Sequence, residues 1–181
     1  MSWQLDKAHS SITFSVRHMM ISTVRGRFEE FDGAFDLNEA KPTQSKIAVV
    51  IQAGSITTKE SQRDGHLQSP DFFDVAQYPT ITFESSRIEK VDDKHFNLIG
   101  DLTIKDVTKE VALTSEYAGQ AKSPWGTVNA GFTASTKINR KDWGLTWNQA
   151  LETGGVLVGD EVTINVELEL IKQAEAVPAL A

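Results

Sequence analysis

The four histidines, at positions 9, 18, 66 and 95, are the side chains best suited to metal binding or acid–base chemistry in this chain. His18 shares the alternation of Phe14 and Val16, so its imidazole is expected on the apolar face of a strand. Two interpretations stay open. His18 either binds a ligand head group or a metal, or lies at a strand end near the rim, hydrogen-bonded to backbone, and we favour the second.

Metal and catalytic motifs are weak throughout the sequence. A zinc site from His9, His18 and His66 would need three separate segments to converge, and neither His-x-His nor His-Glu-x-x-His occurs. Arg63-Asp64-x-His66 is compatible with acid–base chemistry, but a local ion pair between Arg63 and Asp64 is the favoured interpretation. The Gly-x-Ser-x-Gly turn of hydrolases is absent. We therefore predict no metal, no cofactor and no catalytic residue.

Composition excludes several further classes. There is no cysteine, which rules out disulfides, thiolate zinc sites and cysteine nucleophiles. The net charge of −7 disfavours binding to nucleic acid or to an anionic membrane. No stretch approaches the roughly 18 apolar residues of a spanning helix, and no secretory leader is visible. The expectation is a soluble cytoplasmic protein without stable membrane insertion, or a periplasmic one if residue 1 is a trimmed start.

The elements that must position these side chains are strands. Apolar and polar residues alternate along most of the chain, which predicts one apolar and one polar face per strand. Eight strands are expected, at residues 11–19, 24–37, 46–53, 80–86, 95–104, 109–117, 127–138 and 161–171.

Two stretches interrupt the alternation. Residues 58–75 are expected to hold one or two short helices, with Ser69 as an N-cap and Pro70 in the first turn. Residues 139–159 form a long loop with Trp143 and Trp147, which either gate or plug the barrel. We predict an all-β fold, a single eight-stranded antiparallel barrel over residues 1–172, followed by a frayed tail at 173–181.

Several blocks, in the right order, resemble the YceI-like family of polyisoprenoid-binding proteins with a lipocalin-like barrel. They are Trp3-x-Leu5-Asp6-x-x-His9-Ser10, Val24-Arg25-Gly26-x-Phe28, Arg63-Asp64-x-His66-Leu67-x-Ser69, Asp71-Phe72-Phe73-Asp74, Gly100-Asp101-Leu102-Thr103-Ile104, Arg140-x-Asp142-x-Gly144 and Val158-Gly159-Asp160. The resemblance implies a barrel with a lipid-sized tunnel for long isoprenoids, quinones or similar lipids. It also makes a homodimer plausible.

The predicted ligand contacts are inward-facing apolar and aromatic residues together with polar groups at a tunnel mouth. Phe28 and Phe31 have opposite parity, so both face inward only if a bulge lies between them. A diphosphate head group would need cations at the mouth, for which Arg17, Arg25, Arg63 and Arg140 are candidates. The predicted contacts are Phe14, Val16, Arg17, His18, Phe28, Phe31, Arg63, Phe83, Leu98, Phe132, Trp143 and Trp147.

The functional hypothesis is a carrier that binds and sequesters or transports a polyisoprenoid, an isoprenoid quinone or a similar lipid. Burial of an apolar chain contributes roughly 0.8 kcal/mol per CH₂, so such a tail binds without catalytic machinery. One alternative is a packed-core barrel that serves as a stress-related interaction scaffold. A less favoured alternative is an enzyme that uses the histidine and carboxylate groups near the helical insert.

Overall fold

The computed structural model describes residues 2–174. Within them lies one α-helix, α1 (Ser61–Gln68). The strands are β1 (Ser2–Leu5), β2 (Ser11–His18), β3 (Ser22–Phe28), β4 (Phe31–Asp36), β5 (Lys46–Gln52), β6 (Ile56–Thr57), β7 (Thr80–Lys90), β8 (His95–Ile104), β9 (Val107–Lys122), β10 (Val128–Asn139) and β11 (Val158–Lys172).

The strands close into an antiparallel barrel with eight walls. β1 and β2 lie end to end along β11, with Leu5 opposite Leu170 and Phe14 opposite Ile164. β3 continues into β4, and β5 into β6, because β4 pairs with β5 while β3 pairs with β6. If β1 with β2, β3 with β4, and β5 with β6 each count as one wall, these three walls and the five strands β7 to β11 make eight. The barrel closes because β1 and β2 pair with β11. The predicted eight-stranded barrel is confirmed.

The first three walls all break at one level of the barrel. A 3-10 turn at Lys7–His9 separates β1 from β2, and another at Ala53–Ser55 separates β5 from β6. Between β3 and β4 the hydroxyl of Ser55 accepts the N–H of Glu30 at 3.0 Å. The strand predicted at 24–37 is thus divided by two residues.

An exposed pair of side chains stabilises the first of these breaks. His9 Nδ1 lies 2.9 Å from a carboxylate oxygen of Asp6. The hydrogen bond with His9 lowers the pKa of Asp6 below 3.8. The hydrogen bond and charge of Asp6, together with the charge of Glu169, raise the pKa of His9 above 6.5.

Replacing His9 with asparagine is expected to lower the free energy of unfolding slightly, and only within a pH window. The raised pKa of His9 contributes stability below pH 6.5 that is lost as pH rises through the folded-state value. The lowered pKa of Asp6 contributes stability above pH 3.8 that is lost as pH falls. Denaturant titrations of both proteins across pH should differ most between these values. A difference that stayed constant well above the pKa of His9 would contradict this account.

The short helix predicted within residues 58–75 is present as α1, but it starts earlier than predicted. α1 begins after Glu60, whose carboxylate accepts the backbone N–H of Gln62 and of Arg63 at 3.3 and 2.7 Å. Ser69 ends the helix, and its hydroxyl donates to the His66 carbonyl at 2.6 Å. The helix start predicted at Ser69 and Pro70 is therefore wrong: the side chain that caps the helix N-terminus is that of Glu60, nine residues earlier, and turns follow Ser69.

The two ends of the barrel differ. The end that carries residues 2 and 172, here the closed end, is filled by buried Trp3, Phe35, Ala130 and Leu170. The other end, here the mouth end, carries residues 19–21, the insert 53–79, the turn 105–106 and the loop 140–157. The helix found within residues 2–174 is too short and too polar to cross a bilayer. Of the predicted tail, Gln173 bonds the Ser2 carbonyl, and residues 175–181 lie outside the described residues.

Candidate ligand-binding site

A cavity of about 350 Å³ occupies the barrel interior. Its wall consists mainly of apolar side chains that alternate along the strands, from Leu170 near the closed end to Val24 and Leu157 near the mouth end. The predicted contacts that lie in this wall are Phe14, Val16, Arg17, His18, Phe28, Phe31, Arg63, Phe83, Leu98, Phe132 and Trp147. Their part in binding stays a prediction.

The two loop tryptophans have different positions. Trp147 lies in the cavity wall. Trp143 is absent from the wall: it is buried in the hydrophobic core, and its Nε1 donates to the Leu102 carbonyl at 3.0 Å. The hydrogen bond to β8 holds the Trp143 indole as a plug beside the cavity, so of the two predicted roles the structure favours the plug over a contact with the ligand.

Three glycines keep the interior open by making room for phenylalanine rings. Gly26 faces inward opposite Phe14, and a β-carbon on Gly26 would overlap that ring. Gly100 gives the same room to Phe83, and Gly33 to Phe35. The rings therefore lie against bare backbone. A larger residue at any of these glycines would displace the adjacent ring.

The ionisable groups of the cavity wall gather at the mouth end and are cationic or neutral. They are Arg17, His18, Arg63, His66 and Arg140. Among residues 2–174 no aspartate or glutamate lines the cavity, although the chain carries a net charge of −7. The mouth therefore favours a ligand group that accepts hydrogen bonds or carries negative charge.

Arg63 and Asp64 are both held by buried Thr58. Asp64 accepts the N–H of Thr58 at 2.8 Å and its hydroxyl at 2.5 Å. Arg63 donates from Nε to the Thr58 hydroxyl at 2.7 Å and from Nη2 to its carbonyl at 3.1 Å. The expected ion pair between Arg63 and Asp64 is thus replaced by a shared anchor. Arg63 Nη1 has no hydrogen-bond partner within the described chain.

The histidines at the mouth differ in how they are held. His66 Nε2 lies 2.8 Å from an Asp71 carboxylate oxygen, and its ring packs edge-on against Trp147 and Phe72 with centroids 4.6 and 5.1 Å apart. His18 is half-buried at the end of β2, and its imidazole has no hydrogen-bond partner in residues 2–174. The rim position of His18 is as expected, but the expected bond to backbone is not formed.

His9 lies apart from the other two histidines of the zinc hypothesis. It groups with Asp6 and Glu169 at the level of the first wall break, away from the cavity. In the described residues the imidazoles of His9, His18 and His66 therefore do not converge on one point.

Arg140 is a structural residue of the mouth. It is 3% exposed and donates to the carbonyls of Gly159, Leu145 and Trp147 at 2.8, 2.6 and 2.9 Å. A weaker contact of 3.4 Å reaches the Val158 carbonyl. Burial lowers the pKa of Arg140, and Asp160 nearby partly offsets this. With its donors already used, Arg140 holds the loop rather than a ligand, while Arg25 is exposed and lies outside the cavity wall.

The predicted ligand contacts leave out most of the aliphatic wall. β11 alone contributes Val162, Ile164, Val166, Leu168 and Leu170. Their strict alternation was sufficient to identify them, since neighbouring positions of one parity share a face.

Comparison with known proteins then assigns the family. The model of the YceI-like domain matches residues 3–170. The chain belongs to the YceI-like family. A UPF0312 protein of Staphylococcus aureus is 38% identical over 169 residues, which are 93% of this chain and 96% of that protein. A UPF0312 protein of Azotobacter vinelandii is 37% identical over 137 residues, covering 76% and 71% of the two chains.

Solved structures agree on the architecture. The YCEI protein of Campylobacter jejuni is 34% identical, with a TM-score of 0.74 and coverage of 94% of this chain and 97% of that one. A polyisoprenoid binding domain from Saccharophagus degradans, implicated in plant cell wall breakdown, has a TM-score of 0.71. It is 15% identical over 94% of this chain and 98% of its own, so this likeness concerns the fold alone.

Proposed function

We propose that this YceI-like protein binds a long apolar lipid, a polyisoprenoid or an isoprenoid quinone, and sequesters or carries it. The observation that supports the proposal is the cavity, which is walled by apolar side chains and bordered by cationic and imidazole groups at the mouth end. Each CH₂ of a tail placed there contributes roughly 0.8 kcal/mol. The name of the Saccharophagus degradans domain points to the same ligand class.

We infer a binding role rather than catalysis from how the mouth residues are engaged. Arg140 is occupied by main-chain carbonyls, and the His66 ring is fixed between Asp71 and two aromatic rings. A packed-core scaffold is less well supported, because a cavity of about 350 Å³ is more than a packed core leaves empty. The cytoplasmic location and the homodimer stay predictions, to be tested by cell fractionation and by light scattering.

Native mass spectrometry of the purified protein, followed by organic extraction, tests the proposed function. The expected result is a stoichiometric species with a long isoprenoid chain. If the protein is empty and also fails to bind geranylgeraniol or an isoprenoid quinone on titration, the carrier proposal is rejected in favour of the scaffold.

Replacing Arg63 with glutamine tests the proposed head-group contact. We expect geranylgeranyl diphosphate to bind at least about tenfold more weakly, because hydrogen bonds to charged groups contribute about 1.5 to 3 kcal/mol. Geranylgeraniol, with the same tail, should bind as before. Calorimetric titration of both ligands measures this.

Arg25→Gln is the matched control, since Arg25 is exposed and lies outside the cavity wall. If Arg63→Gln lowered the affinity for both ligands equally, Arg63 would shape the mouth without contacting the head group.

A further inference from the structure

An exposed apolar cluster lies on the rim of the cavity. It consists of Met19, Met20, Ile21 and Val156, here called the apolar tip, with exposed fractions of 42%, 59%, 79% and 40%. Met19 to Ile21 form the turn between β2 and β3, and Val156 belongs to the loop before β11. Neighbouring large apolar side chains with this exposure are typical of interaction sites.

The tip is built by two loops that contact each other. The Met19 N–H donates to the Leu157 carbonyl at 2.7 Å, and the sulfur of Met20 lies so close to Gly155 that a β-carbon there would overlap it. Met19 and Met20 have φ angles of +53° and +63°. Residues other than glycine adopt this left-handed backbone region only at a cost in conformational energy. The fold thus keeps a strained turn that holds apolar side chains in water.

The tip is continuous with the cavity wall. His18, which precedes Met19, and Leu157, which follows Val156, both line the cavity. Residues 19–21 and 154–157 contain no ionisable side chain. The other large apolar side chains that are exposed in residues 2–174 are placed differently: Val50 lies within β5, and Val91 and Trp125 lie singly in two separate turns at the closed end.

We propose that the apolar tip inserts transiently into a lipid bilayer and places the mouth against it, so that the lipid passes between membrane and cavity without crossing water. This inference rests on the proposed function, because a long isoprenoid is stored in membranes. The bilayer surface it fits is a neutral one. The tip segments carry no cation of their own, and the net charge of −7 repels anionic lipids. One cation borders the tip, since the guanidinium of Arg17 donates to the Met20 carbonyl at 3.2 Å.

The test compares Ile21→Glu with Val91→Glu, which makes the same exchange at an exposed site of the opposite end. Each variant and the wild type are assayed three ways. Thermal melting checks the fold, geranylgeraniol added from ethanol measures binding in solution, and phosphatidylcholine vesicles containing an isoprenoid quinone measure both co-sedimentation and the rate of quinone extraction.

The expected result is that Ile21→Glu melts and binds geranylgeraniol like the wild type. It should lose co-sedimentation and extract quinone at least about tenfold more slowly, while Val91→Glu behaves like the wild type. Extraction at the wild-type rate by Ile21→Glu would overturn the proposal. The proposal would also be overturned if the wild type did not co-sediment with the vesicles and light scattering showed a dimeric wild type but a monomeric Ile21→Glu variant. The tip would then be an interface between two copies.

Failure of the proposed function gives a different result. In that case the wild type does not bind geranylgeraniol in solution. The co-sedimentation of wild type and Ile21→Glu with vesicles still shows whether the tip binds a bilayer.

Discussion

Replacing Arg140 with alanine is expected to destabilise the protein by about 4 kcal/mol, because it removes a buried cation that bonds several main-chain carbonyls. Arg140 is 3% exposed, and its guanidinium donates to three carbonyls at 2.6 to 2.9 Å. Removing it leaves those carbonyls without a donor in a space from which water is largely excluded. Each unsatisfied buried group costs about 1 to 3 kcal/mol.

The loss should appear in both stability and the shape of the mouth. For a chain of this length about 4 kcal/mol lowers the melting temperature by about 10 °C. The carbonyls of Leu145 and Trp147 belong to the loop that carries Trp147 to the cavity wall, and Arg140 ties that loop to the Gly159 carbonyl of β11, so ligand binding should weaken as well. Differential scanning calorimetry and a geranylgeraniol titration measure the two effects.

Lys141→Ala is the control that distinguishes the loss of hydrogen bonds to carbonyls from the loss of a positive charge near Asp160. Lys141 is exposed and lies 3.3 Å from Asp160, a carboxylate that is 3.9 Å from Arg140. Its removal should change stability by less than about 1 kcal/mol, as exposed ion pairs usually do. If Lys141→Ala destabilised the protein as much as Arg140→Ala, the charge around Asp160 and not the carbonyl bonds would hold the loop.

The barrel could be predicted from alternation because its period is a local property of the sequence. The inward set of β11 and the opposite parities of Phe28 and Phe31 can be read from spacing alone. The division of the first three walls could not. It depends on contacts such as Ser55 with Glu30, which are formed only after distant segments have paired.

The mouth was less predictable because its polar residues act through tertiary contacts. Arg140 looked like a candidate ligand cation, and only the carbonyls up to 19 residues away show that it is structural. Trp143 and Trp147 are equivalent by sequence, yet one donates to β8 and the other lines the cavity. The predicted ion pair between Arg63 and Asp64 is not formed for a similar reason: both side chains bond to buried Thr58 instead.

Replacing Gly26 with alanine is expected to weaken binding of a long isoprenoid at least about tenfold while the barrel still folds. The new β-carbon would overlap Cζ of Phe14 and lie 2.8 Å from its Cε1, and the three nearest atoms it meets all belong to that ring. The ring can move only into the cavity, because β2 and β3 lie behind it. Narrowing the cavity at this level excludes part of the tail, and its buried area is lost.

Gly100→Ala would be a poorer test of the same idea. Its β-carbon meets the Glu84 carbonyl at 2.5 Å as well as the Phe83 ring, so the backbone of β7 would have to move. Loss of binding there could not be separated from loss of structure. Gly54→Ala is the matched control for Gly26→Ala, since nothing lies within 4 Å of a β-carbon at Gly54.

A second substitution decides whether the ring is the cause. In Gly26→Ala/Phe14→Leu the smaller side chain restores room beside β3, so the double variant should recover most of the affinity that the single variant loses. The recovery shows coupling between the two residues only if Phe14→Leu alone raises the affinity by less than the double variant gains over Gly26→Ala. Titration with an isoprenoid quinone measures the wild type, Gly26→Ala, Phe14→Leu and the double variant, with melting curves to compare their folds. If the double variant bound no better than Gly26→Ala alone, the Phe14 ring would not be what limits the cavity at this level.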